Sequence, residues 1–167
     1  MSGGMRLVLT VLLTLTLAAP VAARDWFQHP HGGARAYFGP WLAICEGGGS
    51  RGCRLVQDAG PRAQGRIGAG RMTLQRVPEG WLLTLYDEDM TWPGPLSLTV
   101  DGVPLGVPTR PGAPGVPGAP RTVNGTLSPA VASALIRGGR AVATFSGGAR
   151  TYSLRGVTAA MEAVAAR

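Results

Sequence analysis

The sequence predicts a mainly β domain, a single β-sandwich-like or strongly bent antiparallel sheet with two short helices at about 128–137 and 157–166. Three observations carry this. Apolar and polar residues alternate over short segments, as in Leu96-Ser97-Leu98-Thr99-Val100. Turn signals such as Pro78-Glu79-Gly80 and Asp101-Gly102 punctuate those segments. With 26 Gly and 14 Pro in 167 residues, long helical patterns have little room.

The chain opens differently. Met1 to Arg6 is a short basic start, Leu7 to Ala19 an apolar run, and Pro20-Val21-Ala22-Ala23 a small-residue exit. This is the layout of a secretory signal peptide, with cleavage expected between Ala23 and Arg24. The apolar run falls short of the roughly 20 residues that span a bilayer. Residues 1–23 are therefore expected to be a signal, 24–36 a flexible entry segment, and 37–167 one β-rich domain.

Strands are expected from Tyr37 to Cys45 and over Cys53–Gln57, its hairpin partner. Met72 to Arg76 and Trp81–Tyr86 form a second hairpin, and Leu96–Val100 turns tightly into Val103–Val107. Pro108 to Arg121 is a Gly/Pro-rich stretch in triplet register, too short for a collagen helix and expected to be an extended loop. Ser128 caps a helix that starts with Pro129, carries Val131, Leu135 and Ile136 on one face, and stops at Gly138-Gly139. Arg140 to Phe145 pairs with Arg150 to Leu154 around Ser146-Gly147-Gly148. Val157 to Ala166 closes the chain as an alanine-rich helix.

All 16 basic residues are Arg, against 9 acidic ones. Without Arg6 the exported part keeps 15 Arg against the same 9, a net +6. Such a charge attracts anionic lipid or glycan. The arginines are scattered, however, and no nucleic-acid motif is present, so no nucleic-acid partner is expected.

Cys45 and Cys53, an even count in an exported chain, predict a disulfide across a Gly-rich turn. The spacing lacks the Cys-x-x-Cys of a redox pair, and no further ligands complete a zinc site.

His29-Pro30-His31 is the only histidine pair. Asp87-Glu88-Asp89 gathers three carboxylates without the ligand ladder of a calcium loop, which favours a charged hairpin tip. Ser128 and Ser146 are explained by a cap and a turn, so no catalytic triad is expected. No catalytic, cofactor-binding or metal-ligating residue is assigned. Trp41, Asp87, Glu88, Asp89 and Trp92 are weak binding candidates. Asn124-Gly125-Thr126 matches a glycosylation acceptor, which counts only in a eukaryotic secretory pathway.

Several of these pieces together resemble a known family. Phe38-Gly39-Pro40-Trp41 before Cys45, then Gly52-Cys53-Arg54-Leu55-Val56-Gln57, resembles the opening of the invasion-associated locus B family of bacterial envelope proteins. Leu98-Thr99-Val100-Asp101-Gly102 is similar to its central apolar-Asp-Gly turn. Tyr152-Ser153-Leu154-Arg155-Gly156-Val157-Thr158-Ala159-Ala160 is similar to its closing segment. The family's usual second Cys pair is missing, and Val157 stands where Phe is usual. A related group of exported bacterial proteins shares the same opening and close.

The resemblance implies a periplasmic or surface-associated protein without established catalytic residues. The expectation is a non-enzymatic binding or accessory role toward an envelope protein or an anionic envelope component, with peripheral membrane association open. The alternatives are an envelope-structural protein that holds anionic lipid or glycan through Arg, and an enzyme or inhibitor whose site the fold assembles.

Overall fold

Two antiparallel sheets and two helices are formed by the described residues, and among these the sheets are not closed into a barrel. The computed structural model describes residues 25–47, 52–60, 70–90, 96–107, 110–111 and 121–167. Sheet A runs β1 (Phe27–Gln28), β2 (Ala34–Phe38), β3 (Trp41–Cys45), β4 (Cys53–Ala59), β5 (Gly70–Val77), β6 (Gly80–Asp87), β10 (Arg121–Thr126), β9 (Arg110–Pro111). Sheet B runs β12 (Gly148–Ser153), β11 (Arg140–Phe145), β7 (Leu96–Val100), β8 (Val103–Leu105). Helix α1 spans Pro129–Arg137 and α2 spans Val157–Ala165.

Strict alternation makes these strands. In β6, Trp81, Leu83, Leu85 and Asp87 turn inward and their neighbours do not. In β5, Met72 and Leu74 do the same. The inward residues of both sheets and both helices merge into one apolar core that includes Trp41, Leu55, Leu98, Ala143, Tyr152 and Val164. Ala36 pairs with Ala43 across β2 and β3, and both are fully buried. Such small side chains let α2 lie close over β2, β3 and β4, with Val157, Ala160, Met161 and Val164 as its buried face.

The expected hairpins form. Val77 pairs with Gly80, Phe145 with Gly148, and Val100 with Val103. In the last of these, Asp101 (φ 50°) and Gly102 (φ 84°) both take positive φ, the signature of a type I′ turn. Asp101 also accepts the Gly139 and Arg140 amides at 2.8 and 2.9 Å, tying that turn to the start of β11.

Three boundaries differ from the sequence expectation. The first long strand begins at Ala34 rather than Tyr37, because Ala34 and Ala36 are small enough to face the core. β1 and the first half of β2 thus lie in the stretch expected to be an entry segment, joined by a turn in which Gly32 N–H bonds His29 O. β10 is an additional strand. Among its described side chains and glycine, Val123 and Gly125 alone are buried, too weak a pattern to show in sequence, yet β6 supplies a six-residue ladder.

The helices match more closely. Ser128 Oγ accepts the Val131 amide at 3.3 Å, with Pro129 at the first turn. Gly138 ends α1 in extended backbone, and the reason for glycine is space: a Cβ there would sit 2.2 Å from Val100 Cγ1. Most of the Pro108–Arg121 stretch, Trp92 and the Ala23–Arg24 junction lie outside the described residues.

Candidate functional site

The polar groups of the interior collect at the seam where β12 of sheet B meets sheet A. At one end, Gln57 is 4% exposed on β4. Its Nε2 donates to Ser153 O at 2.8 Å, and its Oε1 accepts Ser153 N–H at 2.7 Å. One amide side chain thus pairs with β12 as a strand backbone would. Trp41 Nε1 donates to the same Ser153 O at 2.9 Å. Trp41 is fully buried and uses its one polar atom here, so it offers no surface to a ligand. Gly156 follows in left-handed conformation (φ 85°), and a Cβ on it would meet Phe38 O at 2.5 Å. The β2–β3 turn therefore rests on the residues between β12 and α2.

At the other end lies the acidic triplet. Asp87 closes β6 and is 1% exposed, while Glu88 and Asp89 are exposed in the turn that follows. Asp87 Oδ1 accepts the Asp89 amide at 2.9 Å, an aspartate turn that bends the chain. Arg150 of β12 reaches across to both acids, with Nε 2.7 Å from Asp87 Oδ2 and Nη2 2.8 Å from Asp89 Oδ2. Burial opposes the Arg150 charge, but the two carboxylates outweigh it and hold the guanidinium charged. The triplet is thus half latch and half solvated turn, rather than a simple charged tip.

Tyr152 stands beside this latch. Burial first, and then the negative charge of Asp87, push its hydroxyl pKa far above the ordinary tyrosine value. Gly70 completes the packing, since a Cβ there would lie 2.6 Å from Asp87 Oδ2 and 3.1 Å from the Tyr152 hydroxyl. Farther along the face, Arg71 grips Asp58 through Nε–Oδ1 at 2.6 Å and Nη2–Oδ2 at 3.2 Å. Sequence reasoning missed Gln57, Arg150 and Tyr152, because a long-range partner leaves no local pattern.

The cysteines join as expected. Cys45 and Cys53 are directly opposed in the β3–β4 ladder, bonded, and buried. Glu46 and Arg54 pair at 2.6 Å beside them; that hydrogen bond and the Arg54 charge hold Glu46 below the usual carboxylate range. The histidines occupy the β1–β2 turn, their rings 5.3 Å apart, with His29 Nδ1 accepting the His31 amide. Among the described residues no group of three or more His, Cys, Asp or Glu is placed to hold a metal ion.

No protein-family model matches the sequence, and no curated protein does. A solved structure matches the fold: invasion associated protein B from Bartonella henselae aligns over 79% of this chain and 96% of its own, with a TM-score of 0.57 and 18% identity. The chain has the fold of invasion associated protein B. Two of the three segments that resemble that family meet at the seam: Trp41 and Gln57 from the opening, Ser153 and Gly156 from the close. In this invasion-associated-protein-B-like fold they hold the two sheets together. Among the described residues, no helix is long and apolar enough to cross a membrane.

Proposed function

We propose that this chain is an exported bacterial envelope protein with a non-enzymatic binding or accessory role. The likeness in fold to invasion associated protein B carries the reading. The buried Cys45–Cys53 bond supports it, since such bonds persist in oxidising compartments. The apolar start at Leu7–Ala19 with its Ala23 exit supports delivery there. The interior side chains able to do acid–base chemistry support a binding role in another way. Buried Asp87 is paired with Arg150, which also reaches the exposed Asp89, and Asp58 is paired with Arg71, so their charge serves the frame.

The test is cell fractionation of the tagged full chain in a bacterial host with two membranes. The expected result is a periplasmic or envelope-bound protein beginning at Arg24, with both thiols protected from alkylation. Cross-linking before lysis then captures what it contacts. A cytoplasmic protein that retains Met1 and carries free thiols overturns the reading.

A further inference from the structure

We propose that the outward face of sheet A at its β1–β2 edge docks on an anionic phospholipid surface. Four large hydrophobic side chains are exposed among the described residues: Phe27, Tyr37, Val103 and Ile136. Two of them come together. Phe27 (41% exposed) and Tyr37 (47% exposed) stack with ring centroids 6.1 Å apart and planes 18° from parallel. Single exposed apolar residues are ordinary, but an adjoining pair of aromatics marks a surface that something else covers.

Strand register extends the patch. Ala34, Ala36 and Phe38 of β2 turn inward, which sends Arg35 and Tyr37 to the outer face. Arg35 lies opposite Phe27 on one side and Ile44 on the other, and Tyr37 lies opposite Leu42. The result is an aromatic and aliphatic strip with one cation in its middle. The Arg35 Nε is buried and has no hydrogen-bond partner among the described residues. Arg35 is half-buried on this face, and an arginine so placed can cover hydrocarbon with its stem while its charge meets headgroups. Glu46, whose charge reaches toward Arg35's position, is already bonded to Arg54.

Two features select a lipid surface over a sugar chain or a peptide. Leu42, half-buried, and Ile44, buried beneath the strip, offer no side-chain hydrogen bonds, which a glycan site needs to fix each ring. Aromatic rings beside an arginine suit the boundary between headgroups and acyl chains, where amphipathic side chains settle. The net charge of +7, or +6 without residues 1–23, adds long-range attraction to anionic headgroups.

This inference rests on the envelope placement proposed above. The test uses the exported chain, purified from the cell envelope, with vesicles of phosphatidylcholine alone or mixed equally with phosphatidylglycerol. Co-sedimentation is expected to be at least about tenfold stronger with the anionic vesicles and to fall as salt rises. Phe27→Ser with Tyr37→Ser is expected to lose most of that binding, and Arg35→Gln to lose the preference for anionic lipid. Val103→Ser and Ile136→Ser are expected to bind as the parent does. Phe27→Ser alone, in a two-residue edge strand, serves where the double variant unfolds. Equal binding to both vesicles, full binding by the Phe27 and Tyr37 variants, or retention on an anionic polysaccharide with the same dependence on Phe27 overturns the proposal. A cytoplasmic location would sink the envelope reading while leaving the vesicle result intact, so the two failures are distinguishable.

Discussion

Replacing Gln57 with Leu tests whether one side-chain amide holds the two sheets together. The substitution puts an apolar side chain of similar size in a position that is 4% exposed. It deletes the bonds from Nε2 to Ser153 O and from Ser153 N–H to Oε1. Ser153 O retains its bond from Trp41 Nε1, but the Ser153 N–H loses the acceptor it has here. Two net hydrogen bonds at about 1 kcal/mol each, together with one stranded donor at about 1–3 kcal/mol, set against leucine's apolar gain of about 1.5–3 kcal/mol, leave a loss of roughly 2 kcal/mol. For a domain of this size that lowers Tm by about 4–8 °C. Trp41→Phe alone should cost less, because Ser153 O still has Gln57. In the double variant that carbonyl has neither donor, so the two losses should exceed their sum by about 1 kcal/mol. Urea unfolding of the four proteins measures this directly. A Gln57→Leu loss under about 0.5 kcal/mol, or strict additivity with Trp41→Phe, would show that water replaces the amide and refute the reasoning.

Three more outcomes follow from the same geometry. Converting Cys45 and Cys53 to Ser should lower stability by about 2.5 kcal/mol, the chain-entropy value for a loop of this length, read as a fall in the urea midpoint of non-reduced protein. Gly70→Ala should destabilise the latch, since its Cβ would sit 2.6 Å from Asp87 Oδ2; thermal unfolding several degrees below the parent is expected, and an unchanged Tm counts against the tight packing. Tyr152 should make the protein alkali-sensitive. Its folded pKa is raised above 10.0 by burial and by Asp87, so the unfolded chain releases the proton first. Stability is then intact below about pH 10 and falls above it by up to about 1.4 kcal/mol per pH unit, a slope that Tyr152→Phe should reduce in urea titrations.

What could be read in advance follows the range of the interactions. Hairpins joined by two residues, the Ser128–Pro129 helix start and the Cys45–Cys53 pair depend on neighbours within about ten positions, and local chemistry sets them. The seam depends on residues far apart in the chain. Gln57 reads as one more polar residue in an alternating strand, and nothing near it names Ser153, 96 positions on. Arg150 looked like one of sixteen scattered arginines until β12 was placed across from Asp87. β10 was hidden for another reason. A strand between two others needs little apolar content of its own when β6 and β9 supply its ladder, and only Val123 among its described side chains reaches the core.

The distribution of polar groups also bears on what keeps the two sheets in register. Among the described residues the two sheets share no hydrogen-bonded strand pair, so apolar packing alone would let them slide. Directional bonds at the two ends of β12 remove that freedom. Gln57 and Trp41 fix the Ser153 end, and Asp87 with Asp89 fixes the Arg150 end. A substitution at Gln57, Asp87 or Arg150 leaves a buried polar atom unmatched, a cost of about 1–3 kcal/mol against a total stability of about 5–15. The outer face of sheet A carries no such constraint. Tyr37, Arg35 and Leu42 project from strands whose ladders form whatever those side chains are, so they can change with the surface they meet. Stability thus rests on the seam, and the strip proposed to dock on β1–β3 takes no part in it.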